Sequence, residues 1–476
     1  MTKLMFTAIL LFSTSTFADV RLPKILGSHM VLQRNSDVKI WGWADAGETV
    51  GVNADWLNSE LSCQADTKGS WQVILKTGEA GKSHTLTIVG KNRIELDDIL
   101  FGEVWIASGQ SNMEMPVVKV SGAYTGIKNA VQEVTHAKHP QIRLFQPGNF
   151  SSKKPLDDVE PGIAMYGIQT SDCKWHLCTP KTIPRFSATA YFFVRKLHAE
   201  LKVPIGIVDS SWGGTSAEVW TPVAGLKKLG YNAELNQAAS LPQKANQKIP
   251  TRLYNGMIHP LRNFKIKGVI WYQGESNAGR ANKYRELFST MIRQWREVFG
   301  YEFPFYFVQI APFNYGPRNV AFLREAQLQT MSLPKTGMVV TADIGNLRDI
   351  HPKNKQEVGR RLALWALAND YGRKLIYSGP VYKNHVVSKG KIRLKFAHVG
   401  SGLVTRDRKP PSHFEIAGDD KVFHPATAVI DGNDVIVFSK KVATPKAVRY
   451  GFTSQAMPNL SNKAGLPASP FRTDSW

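Results

Sequence analysis

The alternation of apolar and polar positions divides the chain into three stretches. From residue 19 to 100, short β-branched or aromatic runs (VKIWGWA, ETVGVNA, WQVILKT and HTLTIVG) are separated by Gly, Asp and Asn, without a helical period between them. Runs of this kind predict strands. We therefore expect a β-sandwich-like N-terminal domain over residues 19–100.

From residue 101 to 372, strand-like apolar runs alternate with helical segments. The runs are EVWIAS, VPIGIVDSS, IKGVIWYQG, FPFYFVQIA and TGMVVTAD, and the segments are TAYFFVRKLHAEL, KYRELFSTMIRQWREVFG, FLREAQLQTMSL and KNKQEVGRRLALWALANDYG. This alternation predicts the α/β class, with a mostly parallel sheet and helices on both faces.

Residues 373–476 return to short β runs, with a hairpin predicted at Asp431-Gly432 and Asn433-Asp434, so we expect a β-rich C-terminal region.

Residues 1–18 have the layout of a secretory signal peptide. Lys3 precedes the apolar run LMFTAILLF, and Thr16 and Ala18 lie three residues and one residue before a plausible cleavage point at Asp19. The alternative is a membrane anchor, but an apolar run of nine residues falls short of the ~20 that span a bilayer. We expect an exported protein, periplasmic or secreted, with no membrane span.

Composition narrows the class of partner. The chain has 476 residues, 43% of them hydrophobic, which excludes a disordered protein, and its formal net charge is +22. A basic balance attracts acidic glycans or anionic surfaces. Lys and Arg are scattered rather than gathered into a stripe, and export argues against nucleic acid, so we expect no nucleic-acid partner.

Three cysteines give little evidence for a metal. Cys173 and Cys178 flank His176 in CKWHLC, a spacing that matches no common zinc site, and there is no second Cys pair. We therefore predict no metal. In an oxidising compartment we expect either a local disulfide between Cys173 and Cys178 or two plain thiols, with Cys63 left over.

Chemistry-bearing residues follow four of the predicted strands, where ligands of open α/β sheets bind. A serine is a nucleophile when an imidazole takes its proton and a carboxylate orients that imidazole. Glycine N–H groups and side-chain amides can stabilise the oxyanion. The predicted catalytic residues are Ser111, His351 and Asp349, and the predicted oxyanion donors are Gly213, Gly214, Gln273 and Asn277.

Each of these residues has a plainer interpretation when taken alone. A serine such as Ser111 is more often a turn residue, and four of the twelve histidines precede proline. His351 is the histidine that follows a strand end beside a carboxylate. The lipase elbow Gly-x-Ser-x-Gly is absent because Met113 stands where the second glycine would be. The conjunction of four loops in strand order is what favours catalysis.

Longer motifs carry a family resemblance. The segments GQSNMEMPV, WGGTSAEVWTP, YNGMIHPL, IKGVIWYQGESN, LREAQ, DIHPKNKQEVGRRLAL and GLPASPFRTD resemble the sialate O-acetylesterase family of SGNH-type serine hydrolases, over nearly the whole mature chain. The resemblance implies a flavodoxin-like three-layer α/β/α catalytic domain. It also implies removal of O-acetyl groups from sugars through an acyl-enzyme, without metal or other cofactor, with Ser111 as nucleophile and His351 as base.

The acid of the site departs from the wider SGNH pattern Asp-x-x-His. Arg348 stands three residues before His351, and Asp349 only two before it. The acid is therefore Asp349, which we prefer, or Asp343 or Glu275; a Ser–His dyad supported by backbone carbonyls is a further alternative.

The substrate is left open among several classes. O-acetylated sialic acid and acetylated xylan or xyloglucan both fit the resemblance, and the net charge of +22 mildly favours an acidic glycan. A non-catalytic glycan-binding protein and a lipase or peptidase are weaker alternatives. Tryptophans in or near the loops suit sugar stacking, although core packing explains most tryptophans; they are Trp175, Trp212, Trp220 and Trp271.

Overall fold

The computed structural model describes residues 19–164, 169–243 and 246–476. The signal peptide predicted for residues 1–18 lies outside the described residues. Within the described ranges, no helix combines the length and the apolar character needed to cross a membrane.

The first part of the described chain is built from strands. They are β1 (Val31–Gln33), β2 (Asp37–Trp43), β3 (Thr49–Ala54), β4 (Leu61–Gln64), β5 (Ser70–Lys76), β6 (His84–Val89) and β7 (Arg93–Gly109). β2 pairs with β5, and β3 lies between β4 and β6, all antiparallel. In β5, Trp71, Val73 and Leu75 are buried while their neighbours are exposed, which is the period-two pattern of a half-buried strand.

The central part alternates strands and helices. Its strands are β8 (His139–Phe145), β9 (Gly162–Ala164), β10 (Gln169–Ser171), β11 (Trp175–Cys178), β12 (Ile205–Ser211), β13 (Gly268–Tyr272), β14 (Phe305–Val308) and β15 (Thr336–Val339). Its α-helices are α1 (Ser111–Glu114), α2 (Ala130–Thr135), α3 (Ala188–Leu201), α4 (Val223–Lys228), α5 (Asn232–Ser240), α6 (Ala281–Phe299), α7 (Ala321–Thr330) and α8 (Lys355–Asn369). Short 3₁₀ or π turns lie at Ile183–Arg185, Ala217–Trp220, Tyr254–Ile258, His259–Leu261 and Glu275–Arg280.

The main sheet has the order β11-β8-β12-β7-β13-β14-β15. In this order, each pair of neighbouring strands from β8 through β12, β7, β13 and β14 to β15 is parallel. The edge strand β11 is antiparallel to β8. After β7 the chain first adds β8 and β12 on one side, then β13, β14 and β15 on the other. The carboxyl end of β7 is therefore the switch point at which open α/β sheets bind their ligands.

Helices cover both faces of this sheet. Trp271 of β13 packs in one buried cluster with Met291 of α6. Ile270, the residue before Trp271 in β13, belongs to a second buried cluster with Phe193 of α3 and Leu362 of α8. Successive side chains of a strand point to opposite faces, so these two clusters lie on opposite sides of the sheet. The predicted mixed α/β class is confirmed.

The last part of the chain is again built from strands. They are β16 (Val381–Ser388), β17 (Lys391–Ala397), β18 (Leu403–Thr405), β19 (Phe414–Ala417), β20 (His424–Pro425), β21 (Thr427–Asp431), β22 (Asp434–Phe438), β23 (Ala447–Tyr450), β24 (Leu460–Asn462) and β25 (Phe471–Arg472). β21 and β22 form the predicted hairpin, with Asp431 opposite Asp434 and Gly432 at φ +63° in the turn. This part has its own buried cluster, which includes Leu394 and Ile416.

The three cysteines are free thiols. Of the two alternatives for Cys173 and Cys178, the structure therefore has the plain thiols. Burial raises the pKa of both, that of Cys178 to about 12. Across the described residues, no group of three or more His, Cys, Asp or Glu side chains is arranged to hold a metal ion.

Candidate active site

Ser111 is the first residue of the single turn α1, immediately beyond the carboxyl end of β7. Gly109, the last residue of β7, has φ +138°, and a Cβ there would lie 2.2 Å from the carbonyl oxygen of Tyr272. No side chain fits at that position because a backbone atom of β13 occupies the space. This close approach explains the glycine at the end of the strand, two residues before Ser111.

His351 lies in the loop between β15 and α8, beside Asp349. The Asp349 Oδ1 accepts the backbone N–H of His351 at 2.9 Å and lies 3.8 Å from the imidazole Nδ1. Its Oδ2 accepts the hydroxyl of Thr125 at 3.0 Å. The ring of Tyr124 packs edge-on against the imidazole, with centroids 5.1 Å apart. Asp349 is therefore a near neighbour of the imidazole, at a distance longer than a hydrogen bond.

The two alternative acids have other partners. Asp343 accepts two hydrogen bonds of 2.7 Å from the guanidinium of Arg361, deep in the protein. Glu275 Oε1 accepts a 2.6 Å hydrogen bond from Asn112 Nδ2. Of the three carboxylates considered from the sequence, Asp349 is the one with an oxygen within 4 Å of the His351 imidazole, at 3.8 Å from Nδ1.

Asn112, directly after Ser111, joins three loops. Besides Glu275, its Nδ2 donates to the carbonyl of Ile350 at 3.0 Å, in the histidine loop. Its Oδ1 accepts a hydrogen bond from the ammonium of Lys355, the first residue of α8. Asn112 and Lys355 are both fully buried. Sequence reasoning assigned neither residue a role, although Lys355 falls one helical turn after His351 in a segment recognised as helical.

The buried charges shift the titration of the histidine. The pKa of His351 is lowered to about 4, first by burial and then by the positive charge of Lys355, while the carboxylate of Asp349 opposes both by raising it. Burial lowers the pKa of Lys355 to about 7, against the carboxylates of Glu275 and Asp349, which raise it. Burial raises the pKa of Glu275, which the hydrogen bond from Asn112 opposes. His351 is therefore a neutral imidazole near neutral pH, the form that accepts a proton.

The loop after β12 contains Gly213 and Gly214 and is called the glycine loop. It contacts the turn α1 that begins at Ser111, called the serine turn, through the side chain of Glu114. The N–H of Gly213 donates to Glu114 Oε2 at 2.9 Å, and the hydroxyl of Tyr124 donates to the same oxygen at 2.6 Å. The N–H of Gly213 is therefore occupied. Gly214 adopts φ +70°, and its N–H has no acceptor within the part of the chain that the structure describes.

Gln273 and Asn277 are bonded within the protein. Gln273 Nε2 donates to Asn277 Oδ1 at 2.7 Å and to the carbonyl of Thr215 at 3.2 Å. Asn277 Nδ2 donates to Glu218 Oε2 at 3.0 Å. Both side chains are buried, and they tie the loop after β13 to the glycine loop. Both amides predicted as oxyanion donors therefore already donate hydrogen bonds within the protein.

The four tryptophans considered for sugar stacking divide into two groups. Trp175, Trp220 and Trp271 are buried in the core, where they pack against other aromatic rings. Trp212 is half-buried, and its backbone N–H donates to the carbonyl of Gly109 at 3.1 Å. Trp212 is therefore the tryptophan of this set that has surface beside the serine turn.

A family model supplies the decisive comparison. The model for carbohydrate esterases described as sialic acid-specific acetylesterases matches residues 102–368, more than half of the chain. This protein belongs to the sialic acid-specific acetylesterase family. The family resemblance stated from the sequence motifs is confirmed, and with it the prediction of a carbohydrate esterase.

Relatives of this acetylesterase align well beyond the matched region. The chain is 31% identical over 444 residues to the sialate O-acetylesterase of Mus musculus, covering 81% of this chain and 80% of that protein. It is 28% identical over 500 residues to the sialate O-acetylesterase of Homo sapiens, covering 95% and 92%. The crystal structure of a carbohydrate acetylesterase from Xanthomonas citri is similar with 42% identity and a TM-score of 0.86, over 96% of this chain and 100% of that one.

Proposed function

We propose that this protein removes O-acetyl groups from sugars by a serine acyl-enzyme mechanism. The observation that carries the proposal is the position of Ser111 at the switch point of a parallel sheet, on a turn joined through Asn112 to the loop that holds His351 and Asp349. A carbohydrate O-acetylesterase needs a nucleophile, a neutral base and an orienting carboxylate. Residues suited to all three roles lie at this end of the sheet.

In the first half-reaction, His351 takes the hydroxyl proton of Ser111 as Oγ attacks the acetyl carbonyl. The bond between Oγ and the carbonyl carbon forms, and the tetrahedral oxyanion collapses. The bond from that carbon to the sugar oxygen breaks, and the imidazolium of His351 returns its proton to the leaving sugar hydroxyl. The products are the deacetylated sugar and an acetyl ester on Ser111.

In the second half-reaction, water replaces the sugar. His351 takes a proton from water as the water oxygen attacks the acetyl ester, and it returns that proton to Ser111 Oγ as the ester bond breaks. Acetate leaves. The negative charge of Asp349 stabilises the imidazolium formed in each half-reaction.

We assign oxyanion stabilisation to the N–H of Gly214, for which the described residues provide no acceptor. Gly213 belongs to the same loop, and its N–H joins this role when Glu114 releases it. We assign Gln273 and Asn277 to holding the loops, since their amides are already bonded. Backbone donors in a fixed loop stabilise an oxyanion without reorganisation.

We further propose an SGNH-type three-layer α/β/α catalytic domain over residues 101–372, between a β-sandwich-like domain (19–100) and a β-rich C-terminal region (373–476).

We also propose that residues 1–18 are a signal peptide and that the mature protein is periplasmic or secreted. N-terminal sequencing of the mature protein from culture medium and periplasm tests this; a chain that retains residues 1–18 contradicts it.

The substrate class is tested by acetate release from purified protein, wild type beside Ser111→Ala. The panel contains 4-nitrophenyl acetate, 9-O-acetylated sialic acid, and acetylated xylan and xyloglucan oligosaccharides. We expect release from at least one sugar, reduced by about 10⁴-fold or more in the variant. The net charge of +22 favours the acidic sugar.

Two results overturn the proposal. A folded wild-type protein that releases no acetate from any ester is not an esterase on these substrates, and glycan binding becomes the function to examine. A Ser111→Ala protein as active as wild type places the nucleophile elsewhere.

A further inference from the structure

Lys355 is a buried cation with no assigned part in the reaction. It is the first residue of α8, four residues after His351, and its side chain is completely buried. Its ammonium donates to Asn112 Oδ1 and lies 5.1 Å from the centre of the Tyr272 ring. A buried ammonium that serves only as packing costs free energy, because burial disfavours the charged form.

The groups around Lys355 come from each element packed on it. Glu275, from the loop after β13, and Asp349, from the histidine loop, are the charged groups that favour its protonated form. Tyr272, from β13, stays neutral because burial raises its pKa well above the usual value. One carboxylate oxygen of Glu275 accepts a hydrogen bond from Asn112, and the other is buried with no hydrogen-bond partner in the described part of the chain. Lys355, Asn112 and Glu275 therefore form one connected polar group in the interior.

The same cation acts on His351. The charged groups that shift the titration of this imidazole are Lys355, which disfavours its protonation, and Asp349, which favours it. The neutral ring of Tyr124 covers one side. Two positive charges close together in a poorly solvated site repel each other.

We propose that Lys355 is a positioning residue that holds the serine turn against the histidine loop through Asn112, and that its positive charge disfavours protonation of His351, so that hydrolysis persists into acidic solution. The inference rests on the proposed esterase reaction. Lys355 touches neither substrate nor Ser111 in this scheme; it acts through Asn112 and through its charge.

The sign of the effect follows from the order of the two titrations. Burial lowers the pKa of Lys355 to about 7, which stays above the pKa of about 4 of His351, so Lys355 is mostly protonated over the acidic interval in which His351 begins to gain its proton. The base must be neutral to accept a proton from Ser111. A charged Lys355 therefore extends the active range downward, and above pH 7 this influence disappears.

The test is the pH dependence of kcat/KM for an ester that wild type hydrolyses, with Lys355→Met and Lys355→Gln. Methionine removes both the charge and the hydrogen bond to Asn112; glutamine removes the charge and keeps an N–H donor. We expect the acidic limb to move upward by about one pH unit in both variants. We also expect Lys355→Met to lose more activity than Lys355→Gln at pH 8, where the charge no longer matters.

Lys353→Met is the matched control, since Lys353 is an exposed lysine two residues away and its loss changes the net charge equally. It should leave the acidic limb in place. Thermal unfolding of each variant checks that the protein is folded; if Lys355→Met is not, Lys355→Gln carries the test.

An acidic limb that stays at the wild-type position in a folded Lys355→Gln protein contradicts the inference, even if activity falls uniformly at every pH. An inactive wild type contradicts the proposed esterase reaction instead, so the two failures are distinguishable.

Discussion

Asp349 holds the backbone of His351 more closely than its ring. Its Oδ1 lies 2.9 Å from the backbone nitrogen and 3.8 Å from Nδ1. A carboxylate in this position fixes the course of the loop by hydrogen bonding and acts on the imidazole mainly by charge. That differs from a triad in which the carboxylate accepts the Nδ1 proton directly.

Asp349→Asn should keep the loop, since an amide oxygen can still accept the His351 N–H, while it removes the charge. We expect kcat/KM to fall about 10²-fold, less than the ~10⁴ for a directly bonded triad acid. Because Asp349 raises the pKa of His351, the acidic limb should move to lower pH. Steady-state kinetics across pH measure both effects.

Asp343→Asn is the comparison, because Asp343 pairs with the buried Arg361 rather than with the histidine. Breaking a buried pair costs about 3–5 kcal/mol of stability, so this variant should melt earlier but retain kcat when folded. If Asp343→Asn lost catalysis while Asp349→Asn kept it, the acid would be Asp343.

At the scale of elements, the serine turn begins where the backbone of β7 at Gly109 packs against the backbone of β13 at Tyr272. Gly109→Ala would combine a disfavoured φ of +138° with a Cβ 2.2 Å from a backbone oxygen that cannot move aside. We expect a loss of about 3–5 kcal/mol in the free energy of unfolding, measured by denaturant titration.

Gly230→Ala separates the two causes, since Gly230 has φ +79° but open space around it. It should cost about 1–2 kcal/mol, the left-handed penalty alone. Equal losses in the two variants would show that the contact with β13 is not tight.

Periodicity in the sequence predicted the long elements well. The strands β12, β13, β14 and β15 and the helix α8 lie within the predicted segments, and the helices α3, α6 and α7 begin one or two residues before theirs. β8 and β11 were not predicted. β8 begins in a His-Pro segment, and its buried second half includes Arg143 among its apolar residues, so no apolar run marks the strand.

The loops of the site were predictable from strand order, and the directions of their side chains were not. Every parallel strand delivers its following loop to the same edge, so the loops that carry Ser111 and His351 could be expected together, and Asn112 joins them through the carbonyl of Ile350. The side chains of Gln273 and Asn277 are buried, because Thr215 and Glu218 accept their hydrogen bonds. Those partners come from distant sequence, and no local pattern shows them.

At the scale of the whole molecule, the strand-rich N-terminal part is continuous with the central sheet. The first half of β7 pairs with β6, and its second half is a central strand of the parallel sheet. The boundary predicted between residues 100 and 101 falls within this strand.

Arg324 of α7 links the C-terminal part of the chain to the central part. Its side chain is buried, and burial lowers its pKa to about 10. Its guanidinium donates to the carbonyls of Thr453 and Ser454 at 2.9 and 3.0 Å and to that of Ile310. Arg324→Met removes the donor to the carbonyls of Ile310 and Thr453, at about 1–3 kcal/mol each, whereas the carbonyl of Ser454 keeps the N–H of Phe313 at 3.3 Å.

We expect Arg324→Met to melt earlier than wild type and to be cleaved first within residues 373–476 in limited proteolysis. Arg285→Met, at an exposed arginine of α6, should behave as wild type. Proteolysis that begins elsewhere, with an unchanged melting temperature, would contradict this role of Arg324.

The central claim is that Ser111 forms a covalent bond during the reaction, and a 4-nitrophenyl alkylphosphonate tests it most directly. Attack by Oγ on phosphorus releases nitrophenolate and leaves a stable phosphonyl ester. The account predicts one equivalent of nitrophenolate, loss of esterase activity, and the added mass on the peptide that contains Ser111, with none of these in Ser111→Ala. An adduct on another residue, accompanied by the same loss of activity, would contradict it.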